Sequence, residues 1–123
     1  MSDIQVDHRE LVRRLCKTPE ELMKEITGDK LHLQHALMGL ISEVGEIGTT
    51  IKKTCIYNAP LDKENILEEA GDLLFYLNQL LMECGFTIPA ALRHNLRKLN
   101  KRYPSGYNDS DALIRRDKQE GTT

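Results

Sequence analysis

A chain of 123 residues with 17 Lys and Arg against 19 Asp and Glu has room for one domain and one core, and its net charge of −2 supplies no bulk field to attract duplex nucleic acid. The apolar 40 % is mainly aliphatic, with no Trp and 2 Phe, and no apolar run approaches the roughly 20 residues of a membrane span. Three cysteines without a C-x-x-C spacing indicate neither a disulfide framework nor a structural zinc site, and with a polar, acidic start from Met1 to Glu10 a cytoplasmic location is the expectation.

Residues 1–17 read as an N-terminal segment, 18–104 as a single all-α domain and 105–123 as a polar tail. Thr18-Pro19-Glu20-Glu21 has the pattern of a capping box, which predicts a short helix to about Ile26. Gly28 ends it, and Asp29 is placed to cap the next helix, in which Leu33, Leu37, Leu40, Val44, Ile47 and Ile51 recur at spacings of four and three up to about Thr54. Tyr57-Asn58-Ala59-Pro60 breaks the pattern. Asp62 caps again, and Ile66, Ala70, Leu73, Leu77, Leu80 and Cys84 repeat the spacing until Gly85, so two long antiparallel helices are expected. Thr87-Ile88-Pro89 opens a further helix with Ile88, Leu92, Leu96 and Leu99 on one side, stopping before Pro104; the tail holds one short helical turn around Ala112 to Arg116. The predicted fold is an antiparallel helical bundle, its core completed by homo-oligomerisation into a dimer or tetramer, because seams on such long helices in so short a chain want a partner.

Glu43 and Glu46 stand three residues apart, as do Glu69 and Asp72, so each pair occupies one helical face. Both pairs sit beside the apolar seam near the middle of consecutive antiparallel helices, where they can meet at one level. One E-x-x-E is ordinary solvated surface. Two such pairs facing one another repel and lose hydration, and a hard divalent cation, Mg²⁺ or Mn²⁺, is the simplest compensation. A di-iron bundle requires Glu-x-x-His pairs, and neither acidic pair has a His at that offset.

On the third long helix Asn95, Lys98 and Arg102 fall at i, i+3 and i+7 and form a polar stripe opposite Leu92 and Leu99. Taken singly they read as a solvated basic face. Together they suit a polyphosphate, which Arg grips with two hydrogen bonds and Lys meets as a mobile point charge; Lys52 and Lys53, two turns past Glu46, add to the supply.

The segments I-S-E-V-G-E-I, E-E-A-G-D-L-L-F-Y-L and N-L-R-K-L-N-K-R-Y-P, in that order, resemble the MazG family of all-α NTP pyrophosphohydrolases over roughly Leu31 to Tyr107. The resemblance implies a helical dimer or tetramer with Mg²⁺ on residues matching Glu43, Glu46, Glu69 and Asp72, and phosphate contacts from Lys98 and Arg102. It also implies cleavage of nucleoside triphosphates between the α and β phosphates. For that reaction attack by a metal-activated water is expected, with Glu43 or Glu46 accepting its proton and Asn95 orienting sugar or phosphate. Several relatives use Trp near the base; this chain has none, so stacking falls to Tyr57, Tyr76, Tyr103, Tyr107 or His35. The rival reading among enzymes is a phosphoribosyl-ATP pyrophosphohydrolase or a dUTPase-like relative, which would share the fold and metal site and differ at the base and sugar pocket. A catalytically silent helical dimer that binds a partner protein is the alternative outside enzymes.

Overall fold

The structure is a computed structural model, and it describes residues 4–118. The described chain folds as six α-helices: α1 (Ile4–Leu15), α2 (Pro19–Glu25), α3 (Gly28–Tyr57), α4 (Lys63–Glu83), α5 (Ile88–Arg102) and α6 (Asp109–Ile114), followed by a 3₁₀ turn at Arg116–Lys118. Each boundary has a local chemical cause. Thr18 Oγ1 accepts from the Glu21 N–H at 3.2 Å while the Glu21 carboxylate accepts from the Thr18 N–H at 2.7 Å, the reciprocal pair of a capping box. Asp62 caps α4 by accepting from the Asn65 N–H at 3.0 Å, and Thr87 caps α5 by accepting from Ala90 at 3.3 Å. Gly85 ends α4 with φ +73°, a left-handed conformation that glycine adopts without penalty.

Several elements differ from the sequence expectation, among them the tail helix, which runs Asp109–Ile114 and ends at the left-handed Arg115 instead of spanning Ala112 to Arg116. The cap of α3 is Thr27, which accepts from the Lys30 N–H, so Gly28 begins the helix and Asp29 lies in its first turn beside the positive end of the helix dipole. At its other end α3 continues past Thr54 to Tyr57 and stops at Asn58, whose φ of 55° is left-handed. A helix also forms at Ile4–Leu15, where the sequence pattern indicates only a polar segment. Its Ile4, Val6 and Leu15 stay exposed, so local propensity rather than packing accounts for it.

The principal packing is α3 against α4. On α3 the covered or half-covered positions include Leu33, Ala36, Leu40, Glu43, Ile47, Thr50 and Thr54, spaced three and four apart, with Gly39 beside them; on α4 they include Ile66, Glu69, Leu73, Tyr76 and Leu80. This is the knobs-into-holes periodicity of two helices wound along each other. Glu43 and Glu69 therefore lie within the seam, not only beside it. Gly39 permits the close approach, because a Cβ there would overlap the Tyr76 ring. The second apolar stripe of α3, with Leu37 at 52 %, Ile41 at 64 % and Val44 at 57 % exposed, faces away from α4, and Phe75 on α4 is 65 % exposed. Among the described residues Ala36 is the one apolar residue buried completely.

Candidate metal centre

Glu43 from the middle of α3 and Glu69 and Asp72 from the first half of α4 each bring a carboxylate oxygen within 4.8 Å of the other two. The antiparallel winding of the two helices causes this: an i,i+3 pair on α4 meets the Glu43 position of α3 at the same level of the seam. Glu43 and Glu69 are half-buried and Asp72 is exposed. The Glu43 carboxyl is held above its ordinary pKa, first by loss of hydration, then by a hydrogen bond with Glu69 and by repulsion from Asp72, Glu69 and Glu46. None of the four acids has a Lys or Arg ion-pair partner among the described residues.

Glu46 stands apart from that trio. It is exposed and lines an adjoining polar cleft of about 300 Å³ with Thr50, Lys53 and Asn65. Two residues of this cleft, which the sequence pattern did not single out, connect it to the acids. The Thr50 hydroxyl donates to Asn65 Oδ1, and Asn65 Nδ2 donates to Glu69 Oε1 at 2.9 Å. Their positions in the sequence carry a signal that could have found them: Thr50 lies four residues after Glu46 and Asn65 four before Glu69, on the same helical faces.

The cations of α5 form a separate group. Asn95 and Lys98 line a second cleft of about 530 Å³, floored by Leu81 and Phe86 and flanked by His94 and Arg97. Arg102 lies beyond it and is engaged with the tail: Nε and Nη2 donate to Asp117 Oδ1 and Oδ2 at 2.6 and 2.8 Å. Those two hydrogen bonds raise the guanidinium's proton affinity and lower the Asp117 carboxyl to about 2. Tyr103 stacks at a tilt on Tyr107, with ring centroids 5.3 Å apart. His35 lies two turns from Glu43 on α3, with Nδ1 3.4 Å from Gln79 Nε2 and its ring edge-on to Tyr76. No hydrogen bond or ion pair among the described residues joins Asn95, Lys98 or Arg102 to the four acids.

The geometry thus presents a hard-oxygen cluster on the α3–α4 hairpin and a cationic cleft along α5. Residues 31–107, more than half the chain, match the family described as MazG nucleotide pyrophosphohydrolase domain. The chain is also similar to the Gene 37 protein of Mycobacterium phage L5, with 28 % identity over 78 residues, 60 % of this chain and 68 % of that protein. No solved structure matches the chain. The matched span runs from the first turn of α3 through Tyr107 and so contains the whole acidic cluster and the α5 cations. The fold is all-α, and the chain belongs to the MazG nucleotide pyrophosphohydrolase family.

Proposed function

We propose that this chain hydrolyses nucleoside triphosphates, ribo or deoxy, to the monophosphate and pyrophosphate, with Mg²⁺ held by Glu43, Glu69 and Asp72 and by Glu46 at the rim. The observation that carries the reading is the convergence of the three carboxylates within 4.8 Å, none of them paired with a Lys or Arg among the described residues. The donor set fits the ion: carboxylate oxygens alone select a hard dication, and the exposed Asp72 side leaves room for water and phosphate. Mn²⁺ suits the same donors.

A bound dication supplies activation of a water and neutralisation of charge on the α and β phosphates. Glu43, inside the acidic cluster, and Glu46, at its rim, are the two candidates to accept the proton of the attacking water. Lys98 offsets charge on the departing pyrophosphate, Asn95 orients sugar or phosphate, and Lys53 reaches the triphosphate from the Glu46 cleft. Arg102 contributes to phosphate binding once its pairing with Asp117 is exchanged. His35 and Tyr103 are the base-contact candidates on α3 and at the end of α5. The uncovered apolar stripes of α3 and α4 support assembly into a homodimer or homotetramer.

The test is incubation with each NTP and dNTP plus Mg²⁺, with products resolved by ³¹P NMR. Nucleoside monophosphate and pyrophosphate are expected, and EDTA abolishes turnover. Orthophosphate as the product removes the stated bond choice, and no turnover across the whole panel removes the reading. The same panel separates general NTP hydrolysis from a dUTP-restricted or phosphoribosyl-ATP activity.

A further inference from the structure

We infer that Thr50 and Asn65 are positioning residues that set the orientation of Glu69 in the carboxylate cluster, and that cation affinity depends on this two-residue relay. The inference rests on the metal-site reading above and adds two residues to it.

Two adjacent threonines make the case by contrast. Thr49 satisfies its hydroxyl within its own helix, donating to the Gly45 carbonyl at 3.0 Å, the usual local solution for a helical threonine. Thr50 is 6 % exposed, faces α4 and directs its hydroxyl across the seam to Asn65 Oδ1 instead. A buried hydroxyl committed to a neighbouring helix carries orientational information that a solvated one does not.

The amide is the element that transmits it. An Asn side chain has an acceptor end and a donor end, and nothing but its partners decides which way it faces. With Oδ1 accepting from Thr50, Nδ2 is left to donate to Glu69 Oε1 at 2.9 Å. The reverse orientation would set an amide oxygen against a carboxylate oxygen. Asn65 is itself anchored, since its N–H donates to Asp62 Oδ1 at 3.0 Å in the first turn of α4. Glu69 is one turn further along that helix, so a fixed Asn65 holds one direction on the Glu69 carboxylate and leaves the rest toward Glu43 and Asp72.

The chemistry of the donor is suited to that task. A Lys at this place would neutralise Glu69 and compete with a cation, and an Asp would repel it. A neutral amide orients the carboxylate while leaving its charge for the ion. Groups that orient metal ligands in this way typically change metal affinity by about 10- to 100-fold when removed.

The experiment measures Mn²⁺ binding to the metal-free full-length protein by electron paramagnetic resonance, without nucleotide, and then activity against Mg²⁺ concentration. Thr50→Val, which keeps the shape and loses the hydroxyl, and Asn65→Leu should each weaken Mn²⁺ binding about 10- to 100-fold with helicity retained by circular dichroism. Thr50→Ser should restore affinity, and the double variant should be no weaker than the worse single one. Half-maximal activity should move to higher Mg²⁺ in Thr50→Val, with kcat recovering at saturating Mg²⁺. Wild-type affinity in both variants, or a Thr50→Ser as weak as Thr50→Val, overturns the relay and leaves the metal site standing. A wild-type protein that binds no Mn²⁺ overturns both.

Discussion

Arg102 and Asp117, fifteen residues apart in the chain, form a two-pronged ion pair with N–O distances of 2.6 and 2.8 Å, and their side chains are only 15 % and 4 % exposed. The contact fastens the 3₁₀ turn of the tail onto the end of α5. It also engages the cation proposed to contact phosphate.

The pair gives a pH signature. Asp117 titrates at about 2 when folded, against an ordinary value of 3.8, because Arg102 donates to it. A depressed carboxyl contributes stability that is present above the ordinary value and is lost as pH falls through about 2. Wild-type and Asp117→Asn melting temperatures should therefore differ by a constant amount at pH 5 and above and converge near pH 2. A difference that persists unchanged to that pH would show the pair contributes nothing through its charge.

The same engagement makes Arg102 a poor probe of substrate contact. Arg102→Gln should lower both melting temperature and turnover, whereas Lys98→Gln, whose side chain makes no ion pair among the described residues, should raise KM for nucleotide with an unchanged melt. Steady-state kinetics beside calorimetry check this, and an unchanged KM in Lys98→Gln would remove the phosphate role of α5.

Removing a ligand should silence the site without unfolding it. Glu69→Gln and Asp72→Asn are expected to lower kcat/KM by more than about 100-fold while keeping wild-type helicity. Near-wild-type turnover in either variant would end the ligand assignment.

Metal binding should also change the pH dependence of stability. Glu43 has a raised pKa in the folded chain, so the metal-free protein is favoured at low pH and loses that stabilisation as pH rises from the ordinary Glu value through the raised one. Thermal melts in EDTA should fall across that window, and saturating Mg²⁺ should flatten the fall because the cation relieves the repulsion. Superimposable melts with and without Mg²⁺ at neutral pH would count against a resident ion.

Two glycines of α3 should respond with opposite signs. Gly39→Ala places a methyl into the Tyr76 ring and should cost about 1–3 kcal/mol, the range of an overpacked core. At Gly48 an added methyl would meet no atom within 4 Å, so Gly48→Ala should gain roughly 1 kcal/mol of helix propensity. Denaturant titration measures both, and a stabilised Gly39→Ala would mean that α3 and α4 have slack at Tyr76.

Phe75 tests the proposed homo-oligomer. It is 65 % exposed on α4, and burying a Phe is worth roughly 1.5–3 kcal/mol, so Phe75→Glu should weaken association at least about tenfold by sedimentation analysis while the helices persist. Unaltered association would move the interface elsewhere.

Much of this architecture is written locally. Thr18, Asp62 and Thr87 are short oxygen-bearing side chains placed to accept the first free N–H groups of a helix, and Gly85 permits the left-handed stop, so these ends are legible from sequence. The partnership of Glu43 with Glu69 and Asp72 is nearly as legible, because an i,i+3 pair shares a face and consecutive antiparallel helices bring faces together. Other features were open. Thr27 and Asp29 are both competent caps, and only the path of the chain selects Thr27. Helix α3 carries two apolar stripes, and periodicity marks both; the close approach at Gly39 and Tyr76 belongs to the packing that sets Leu33, Leu40 and Ile47 against α4 and leaves Leu37 and Val44 uncovered. The Thr50–Asn65–Glu69 chain and the Arg102–Asp117 pair join residues whose partners depend on how helices and tail fold back. Residue spacing states which side chains share a face, since that follows from helical geometry alone; which faces meet is settled by long-range packing, where shape, burial and unpaired polar groups must be satisfied at once.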